Sequence, residues 1–127
     1  MTRDPKDLRV FQMADQLVES VYRATRGFPA EERFGLQSQI RRAAVSVPGN
    51  IVEGCARRSE KEYLHFLVIA LGSASELKYF LGLSCRLGFL PKGDADPLDQ
   101  TCADLLRALQ KLVDSIGGSA RRLTPDA

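Results

Sequence analysis

The 127-residue chain carries 18 basic and 16 acidic residues, a formal net charge of +2, and 44% of its residues are hydrophobic. This balance is typical of one globular domain and argues against a disordered chain or a nucleic-acid binder with a large basic excess. The longest apolar run, residues 66–71, is far shorter than the roughly 20 residues of a membrane helix. No membrane segment and no signal peptide are therefore predicted, and a cytoplasmic location is expected.

Helix one is predicted over residues 5–26. Asp4 can cap its N-terminus with Pro5 in the first turn, and Gly27 is a stop signal. The side chains that recur at steps of three and four, and so share one helical face, are Phe11, Ala14, Val18, Val21, Thr25 and Phe28.

Helix two is predicted over residues 29–58 and contains Pro48. A proline inside a helix removes one backbone hydrogen bond and clashes with the carbonyl four residues earlier, so one helix kinked at Pro48 is expected. Its apolar stripe consists of Leu36, Ile40, Ala44, Val47, Ile51 and Cys55.

Helices three and four are marked by capping signals. Ser59 and Glu62 have the spacing of a capping box, and helix three is predicted to run from there to residue 87. Asp96 and Pro97 are expected to open helix four as cap and first-turn proline. A seam with steps of four and three, typical of antiparallel bundles, follows at Leu98, Cys102, Leu105, Leu109, Leu112 and Ile116.

The predicted fold is therefore an all-α, up-and-down antiparallel four-helix bundle. Residues 1–118 are assigned to the bundle domain and residues 119–127 to a polar C-terminal tail.

Helix three is apolar on two faces, which is more than one small bundle can bury. Such a helix is either central in its domain or covered by another subunit. The second face predicts a homo-oligomer. The candidate interface residues on it are Leu64, Leu67, Val68 and Leu71.

A polar ridge follows helix two at steps of three or four residues. It consists of Gln39, Arg42, Ser46, Asn50, Glu53 and Arg57, and it is expected roughly opposite the apolar stripe. One interpretation is a solvated outer face with a weak ion pair between Glu53 and Arg57. The other is a recognition or inter-subunit surface, in which the arginines offer planar donors to carboxylate or phosphate.

No catalytic, cofactor or metal site is predicted. His65 is the single histidine, and the three cysteines are too far apart for a zinc or disulfide pattern. Glu76 lies on the most apolar helix, where a charge needs a partner, so a buried ion pair with Arg41 or Arg42 is preferred over a general base. The chain is expected not to be an enzyme and to need no cofactor.

Several segments resemble a known bacterial family. They are residues 40–54 (IRRAAVSVPGNIVEG), the Ser59 cap, residues 70–77 (ALGSASEL), residues 7–11 (DLRVF) and residues 87–90 (LGFL). Together they resemble the four-helix-bundle proteins encoded by intervening sequences in large-subunit ribosomal RNA genes. The family-typical positions are Arg42, Ser46, Asn50, Glu53, Gly54, Ser73 and Glu76.

The resemblance implies a bundle that assembles as a ring of five. The family is similar to accessory proteins of diversity-generating retroelements, basic pentameric barrels that bind a reverse transcriptase and nucleic acid. This chain departs from them in being almost charge-balanced. The expected function is a non-enzymatic, homo-oligomeric interaction or adaptor module with a protein partner. The alternative is an RNA- or DNA-binding ring that acts with an rRNA or reverse-transcriptase assembly.

Overall fold

A computed structural model describes the backbone of residues 3–123 and the side chains of residues 3–118. Four α-helices follow one another along the chain: α1 (Arg9–Thr25), α2 (Leu36–Cys55), α3 (Glu60–Arg86) and α4 (Lys92–Leu123). Within residues 3–123 there is no strand. The predicted all-α four-helix fold is confirmed.

The first helix starts later than predicted. Pro5–Asp7 forms a short 3₁₀ helix, and Asp4 caps that turn because its Oδ1 accepts a hydrogen bond from the Lys6 amide at 3.0 Å. Leu8 is extended, with φ −89° and ψ 126°, and it separates the turn from α1. The cap prediction at Asp4 is therefore correct in chemistry but wrong about which helix it begins.

The second helix is shorter than predicted at both ends. Residues 30–32 form a separate 3₁₀ turn, Ala30–Glu32, and α2 begins only at Leu36 and ends at Cys55. The helix is continuous through Pro48, whose side chain is buried. One helix rather than two is thus confirmed, whereas the bend at Pro48 stays a prediction.

The turn between α3 and α4 is shorter than predicted, so α4 begins before the predicted position. Gly88 has a φ of +82°, a left-handed conformation that favours glycine, and its amide donates to the Cys85 carbonyl at 3.0 Å. The carbonyl of Pro91 then accepts from the amides of Asp94 and Ala95. Helix α4 therefore begins at Lys92, and Pro97 lies inside it.

Pro97 does not open α4 because the earlier Pro91 already supplies the start signal. Pro97 has no amide to donate to the carbonyl of Gly93, four residues earlier, so one helix hydrogen bond is missing near the start of α4. At its other end α4 continues to Leu123, so the predicted tail is helical in its first part. Residues 124–127 lie outside the described residues.

Helices α2 and α3 are antiparallel, as the contacts between them show. Ser46 meets Ser73, and Gly54 meets Tyr63, so residue numbers rise along one helix as they fall along the other. The core lies between the four helices and is formed mostly by the predicted stripes, except that Val10 and Leu17 of α1 are buried where Phe11 and Val18 are only partly buried. Its largest fully buried side chains include Leu17, Val21, Ile40, Val47, Ile51, Leu67, Leu77, Leu81, Leu90, Leu105 and Leu109.

Candidate functional site

A groove of about 460 Å³ lies where the end of α1 meets the beginning of α2. We call it the arginine groove, since four arginines line it together with apolar and aromatic side chains. Its lining residues are Tyr22, Arg26, Phe28, Pro29, Ala30, Arg33, Phe34, Gln37, Ser38, Arg41, Arg42 and Val45.

The connection between α1 and α2 forms the wall of this groove. Phe28 is buried, and its ring centroid lies 6.0 Å from that of Phe89 in the α3–α4 turn, which holds the connection against the bundle. Beyond the following 3₁₀ turn the chain exposes Phe34, whose side chain is 91% accessible to solvent. A phenylalanine this exposed contributes almost nothing to the core, so its ring is available to a ligand.

Arg41 holds the floor of the groove in place. Its Nε donates to Thr25 Oγ1 at 2.9 Å, and its Nη2 donates to the Tyr22 carbonyl at 3.3 Å. The same guanidinium lies 4.5 Å from the centroid of the Tyr22 ring, a cation–π contact. Gln37 adds a bond from its Nε2 to the Thr25 carbonyl at 2.9 Å. Two carbonyls at the end of α1 thereby gain side-chain partners from α2.

The other groove arginines present unneutralised charge. Arg26 and Arg42 are exposed, and within the described part of the chain neither takes part in a hydrogen bond or an ion pair through its side chain. The lining contains no aspartate or glutamate. The nearby Glu32 points instead at the start of α2, where its carboxylate oxygens approach Gly35. The groove therefore has a positive field that the net charge of +2 conceals.

The predicted polar ridge is not a fully solvated face. Ser46 and Asn50 are half-buried at the seam between α2 and α3. The Oγ atoms of Ser46 and Ser73 lie 2.8 Å apart, and Asn50 Nδ2 donates to the Ser46 carbonyl and hydroxyl at 2.7 and 3.0 Å. The expectation that these positions lie opposite the packed side of the helix is thus wrong for Ser46 and Asn50, because α3 covers that edge.

The remaining ridge residues are more accessible. Gln39 and Arg42 are exposed near the start of α2, and Arg42 also lines the arginine groove. Arg57 Nη2 donates to Glu53 Oε1 at 3.0 Å, as the spacing predicts, and its guanidinium lies 4.9 Å from the Phe66 ring centroid. The ridge therefore divides into a structural middle and two accessible ends.

Several of the family-typical residues lie where α2 packs against α3. At Gly54 an added Cβ would come within 3.0 Å of Phe66 Cβ and 3.2 Å of Tyr63 Cδ1, so glycine lets α3 approach closely. Together with the Ser46–Ser73 contact, it shows that much of the motif serves to join α2 to α3.

The predicted buried ion pair is wrong in the single chain. Glu76 is exposed, and within the described residues it takes part in no ion pair. Arg41, one proposed partner, is bound to α1, and Arg42 is exposed. Glu76 does not need a buried partner because its position on α3 faces water.

The candidate interface on α3 needs one correction. Leu67 has no accessible surface in the single chain because it is a core residue, so it cannot also contact a second copy. Leu64 and Leu71 are half-buried, whereas Val68 is 48% exposed. Sequence analysis missed the exposed Ile69 and Tyr79, at 38% and 58%, because periodicity does not say which apolar face meets the bundle.

Other chemistry-bearing residues are dispersed. His65 is exposed, with its ring against the edge of Phe66 at 5.4 Å between centroids. Cys55 and Cys102 are buried, and burial is the largest cause that raises the pKa of both thiols. Among the described residues, no three His, Cys, Asp or Glu side chains are grouped for a metal ion. By length and composition α3 could cross a membrane, which is weak evidence because a bundle core helix meets the same criterion.

Comparison with known proteins identifies the family. A protein from Bacteroides thetaiotaomicron VPI-5482, described as of unknown function and from the S23 ribosomal protein family, has a similar structure. The TM-score is 0.76 at 20% identity, over 82% of this chain and 97% of that one. No curated protein matches the sequence significantly. The sequence pattern of one protein family, the 23S rRNA-intervening sequence protein family, matches residues 6–111 of this chain. The chain therefore belongs to the 23S rRNA-intervening sequence protein family.

Proposed function

We propose that this protein is a non-enzymatic, homo-oligomeric interaction module that self-associates through the outer face of α3. The observation that carries the proposal is an exposed seam on that face. Val68, Gly72, Ser75 and Tyr79 follow at steps of four, three and four residues and are all exposed. This is the spacing at which one helix packs along another in a left-handed arrangement.

The chemistry of this α3 seam suits a second helix. Val68 and Tyr79 are 48% and 58% exposed, and each would lose its contact with water in an interface. Burial of a large apolar side chain contributes about 1.5–3 kcal/mol. Between them Gly72 and Ser75 are small, so another helix can approach closely. In the single chain this apolar surface has no partner within the described residues.

The number of copies in the oligomer depends on which surface of the next copy the α3 seam contacts. Contact between two identical seams gives a two-fold dimer, whereas a ring requires that the seam meet a different surface on the next copy. Five copies is the number that the family resemblance implies. A closed ring would also repeat the accessible ends of the polar ridge, so that a protein partner binds with increased avidity.

The mass of the particle in solution tests this proposal. Light scattering at micromolar concentration should give about five times the 14.0 kDa of one chain. Val68→Asp should shift the particle toward monomer while its circular dichroism stays helical, because a carboxylate at the seam would be buried without a partner.

Val52→Asp is the matched control. Val52 is 44% exposed, a fraction similar to the 48% of Val68. It follows Arg41 by about three full helical turns, so it lies on the same face of α2 as Arg41, which contacts α1. Its variant should keep the wild-type mass. A monomeric wild-type protein, or a Val68→Asp variant that keeps the wild-type mass, would contradict self-association through α3.

A further inference from the structure

We infer that the arginine groove binds single-stranded nucleic acid, with bases stacked on Phe34 and phosphates paired with Arg26 and Arg42. This inference concerns another surface than the α3 seam and does not depend on self-association. It rests on three features of the groove: unpaired positive charge, an open aromatic ring and a fixed floor.

The charge comes from arginines that have no internal partner. The guanidinium groups of Arg26 and Arg42 are exposed and unpaired within residues 3–118, and no carboxylate lines the groove between them. Arginine presents a planar fork of donors that matches the oxygens of a phosphate. The groove thus collects at one place what a phosphodiester backbone requires, in a chain that is otherwise nearly neutral.

The aromatic component distinguishes this ligand from a simple anion. The Phe34 ring is 91% exposed, and Tyr22 is 38% exposed on the opposite helix. Arg33 lies 5.8 Å from the Phe34 centroid, which adds a cationic group next to the ring. Successive bases of a single strand stack on such rings without regard to sequence, while the backbone follows the basic groove.

An acidic peptide is the less suitable occupant. Peptide anchors are side chains that fill closed pockets in the centre of an interface. Here the most exposed ring projects from the surface on the α1–α2 connection rather than forming a pocket. A projecting flat ring suits stacking by another flat group, which a base provides.

The floor of the groove is already fixed in the free protein. Arg41 is bound to Thr25 at 2.9 Å and to the Tyr22 carbonyl at 3.3 Å, and it covers one face of the Tyr22 ring. The Arg41 guanidinium is therefore occupied within the protein and holds the groove in shape, whereas Arg26 and Arg42 are the arginines that contact phosphate. Because little reorganisation is needed, less free energy is lost on binding.

The experiment is fluorescence anisotropy of the full chain with a labelled 12-nucleotide single-stranded RNA of mixed sequence, titrated from 50 to 200 mM salt. If Arg26 and Arg42 each contact one phosphate, log K should fall with log salt at a slope of about −1.4, or roughly sevenfold over this range. The same sequence as a duplex should bind more weakly, since its bases are already stacked on each other.

Two variants separate stacking from charge. Phe34→Ala should weaken binding about 5- to 150-fold with no change in the salt slope, since it removes a ring and no charge. Arg42→Gln should reduce the slope by about 0.7. Both residues are exposed, so the thermal unfolding of both variants should match that of the wild-type protein.

Arg58→Gln is the control, because Arg58 is an exposed arginine in the α2–α3 connection, beyond the far end of α2 and outside the groove. Its affinity and slope should equal those of the wild-type protein. The inference is overturned by no binding at 50 mM salt, by equal affinity for the duplex, or by binding that Phe34→Ala leaves unchanged. Equally tight binding of a labelled polyglutamate of the same charge would also overturn it and assign the groove to acidic protein segments.

Discussion

Arg41 and Thr25 join α2 to α1 through a hydrogen bond of 2.9 Å from the guanidinium Nε to the buried hydroxyl. The Thr25 hydroxyl in turn donates to the Val21 carbonyl at 2.8 Å, so it is an acceptor and a donor at once. This polar contact holds the end of α1 against the start of α2, and these two segments form the arginine groove.

Replacement of Thr25 by valine should destabilise the fold. The variant keeps the shape of the side chain but leaves the Arg41 Nε without its acceptor, which should lower the free energy of unfolding by about 1–2 kcal/mol. Urea denaturation measures the difference. Thr101→Val is the matched control: the Thr101 hydroxyl also donates to a carbonyl four residues earlier, at 2.9 Å, but within residues 3–118 no side chain of another helix bonds to it. Equal effects of the two substitutions would show that Arg41 adds nothing.

Alanine at Gly54 should be poorly tolerated. The added Cβ would meet Phe66 Cβ at 3.0 Å and the Tyr63 carbonyl at 3.3 Å, so α3 would have to move away at a cost of about 1–3 kcal/mol. At Gly49, on the same helix, nothing lies within 4 Å, and alanine there should stabilise by about 0.5–1 kcal/mol through helix propensity. Thermal unfolding of the two variants should therefore change in opposite directions. A stabilised Gly54→Ala protein would refute the close approach of α3.

The Ser46–Ser73 contact should be measurable as a coupling. A double-mutant cycle with Ser46→Ala and Ser73→Ala should give an interaction energy of about 0.5–1.5 kcal/mol, since the 2.8 Å bond is half-buried. Ser46→Ala also removes the bond from Asn50 Nδ2 to the Ser46 hydroxyl, but that loss occurs in both variants that carry the substitution and cancels in the cycle, which therefore isolates the hydroxyl pair. Additive effects of the two substitutions would mean that each serine bonds to other groups instead.

Alkaline pH should weaken the fold through Cys102. Burial, with a smaller effect of Asp99, raises the pKa of this thiol from 9.0 to about 12. Above pH 9 the unfolded chain releases the proton and the folded chain retains it, so the folded state binds more protons and unfolding becomes easier as pH rises. This linkage should lower the free energy of unfolding by up to about 1.4 kcal/mol per pH unit between pH 9 and 12.

The Cys102→Ala variant isolates that effect. Its stability between about pH 9 and 10.5 should fall less steeply than that of the wild-type protein, and the difference in slope is the contribution of Cys102. Burial also raises the pKa of Cys55 and Tyr63, which is why a comparison of slopes rather than one curve is required. Parallel curves for the two proteins would contradict the raised pKa.

Local chemistry made part of the fold predictable from the sequence. The Ser59 cap is observed, with the Glu62 amide donating to its hydroxyl at 3.1 Å, because capping depends only on residues three apart. Where two local signals competed, the prediction failed: both Pro91 and Pro97 can begin a helix, and the earlier one does so. The Glu53–Arg57 pair was likewise predictable from spacing.

The candidate sites depended on contacts that spacing does not contain. Leu67 and Val68 are adjacent and both apolar, yet one is in the core and the other is exposed, because packing against α2 and α4 fixes the rotation of α3. Glu76 faces water for the same reason. The arginine groove requires the end of α1 beside the start of α2, with Arg41 bound to a residue sixteen positions earlier.

Period, caps and motifs are properties of neighbouring residues, so the amino-acid sequence was sufficient to establish four helices, most of the core stripe of α2 and α4, and the family. It could not establish which second face stays in water, which ridge residues join α2 to α3, or where unpaired arginines meet an exposed ring. Those features arise from helix rotation and register, which are set by packing between segments distant in the chain and are therefore visible only in the folded molecule.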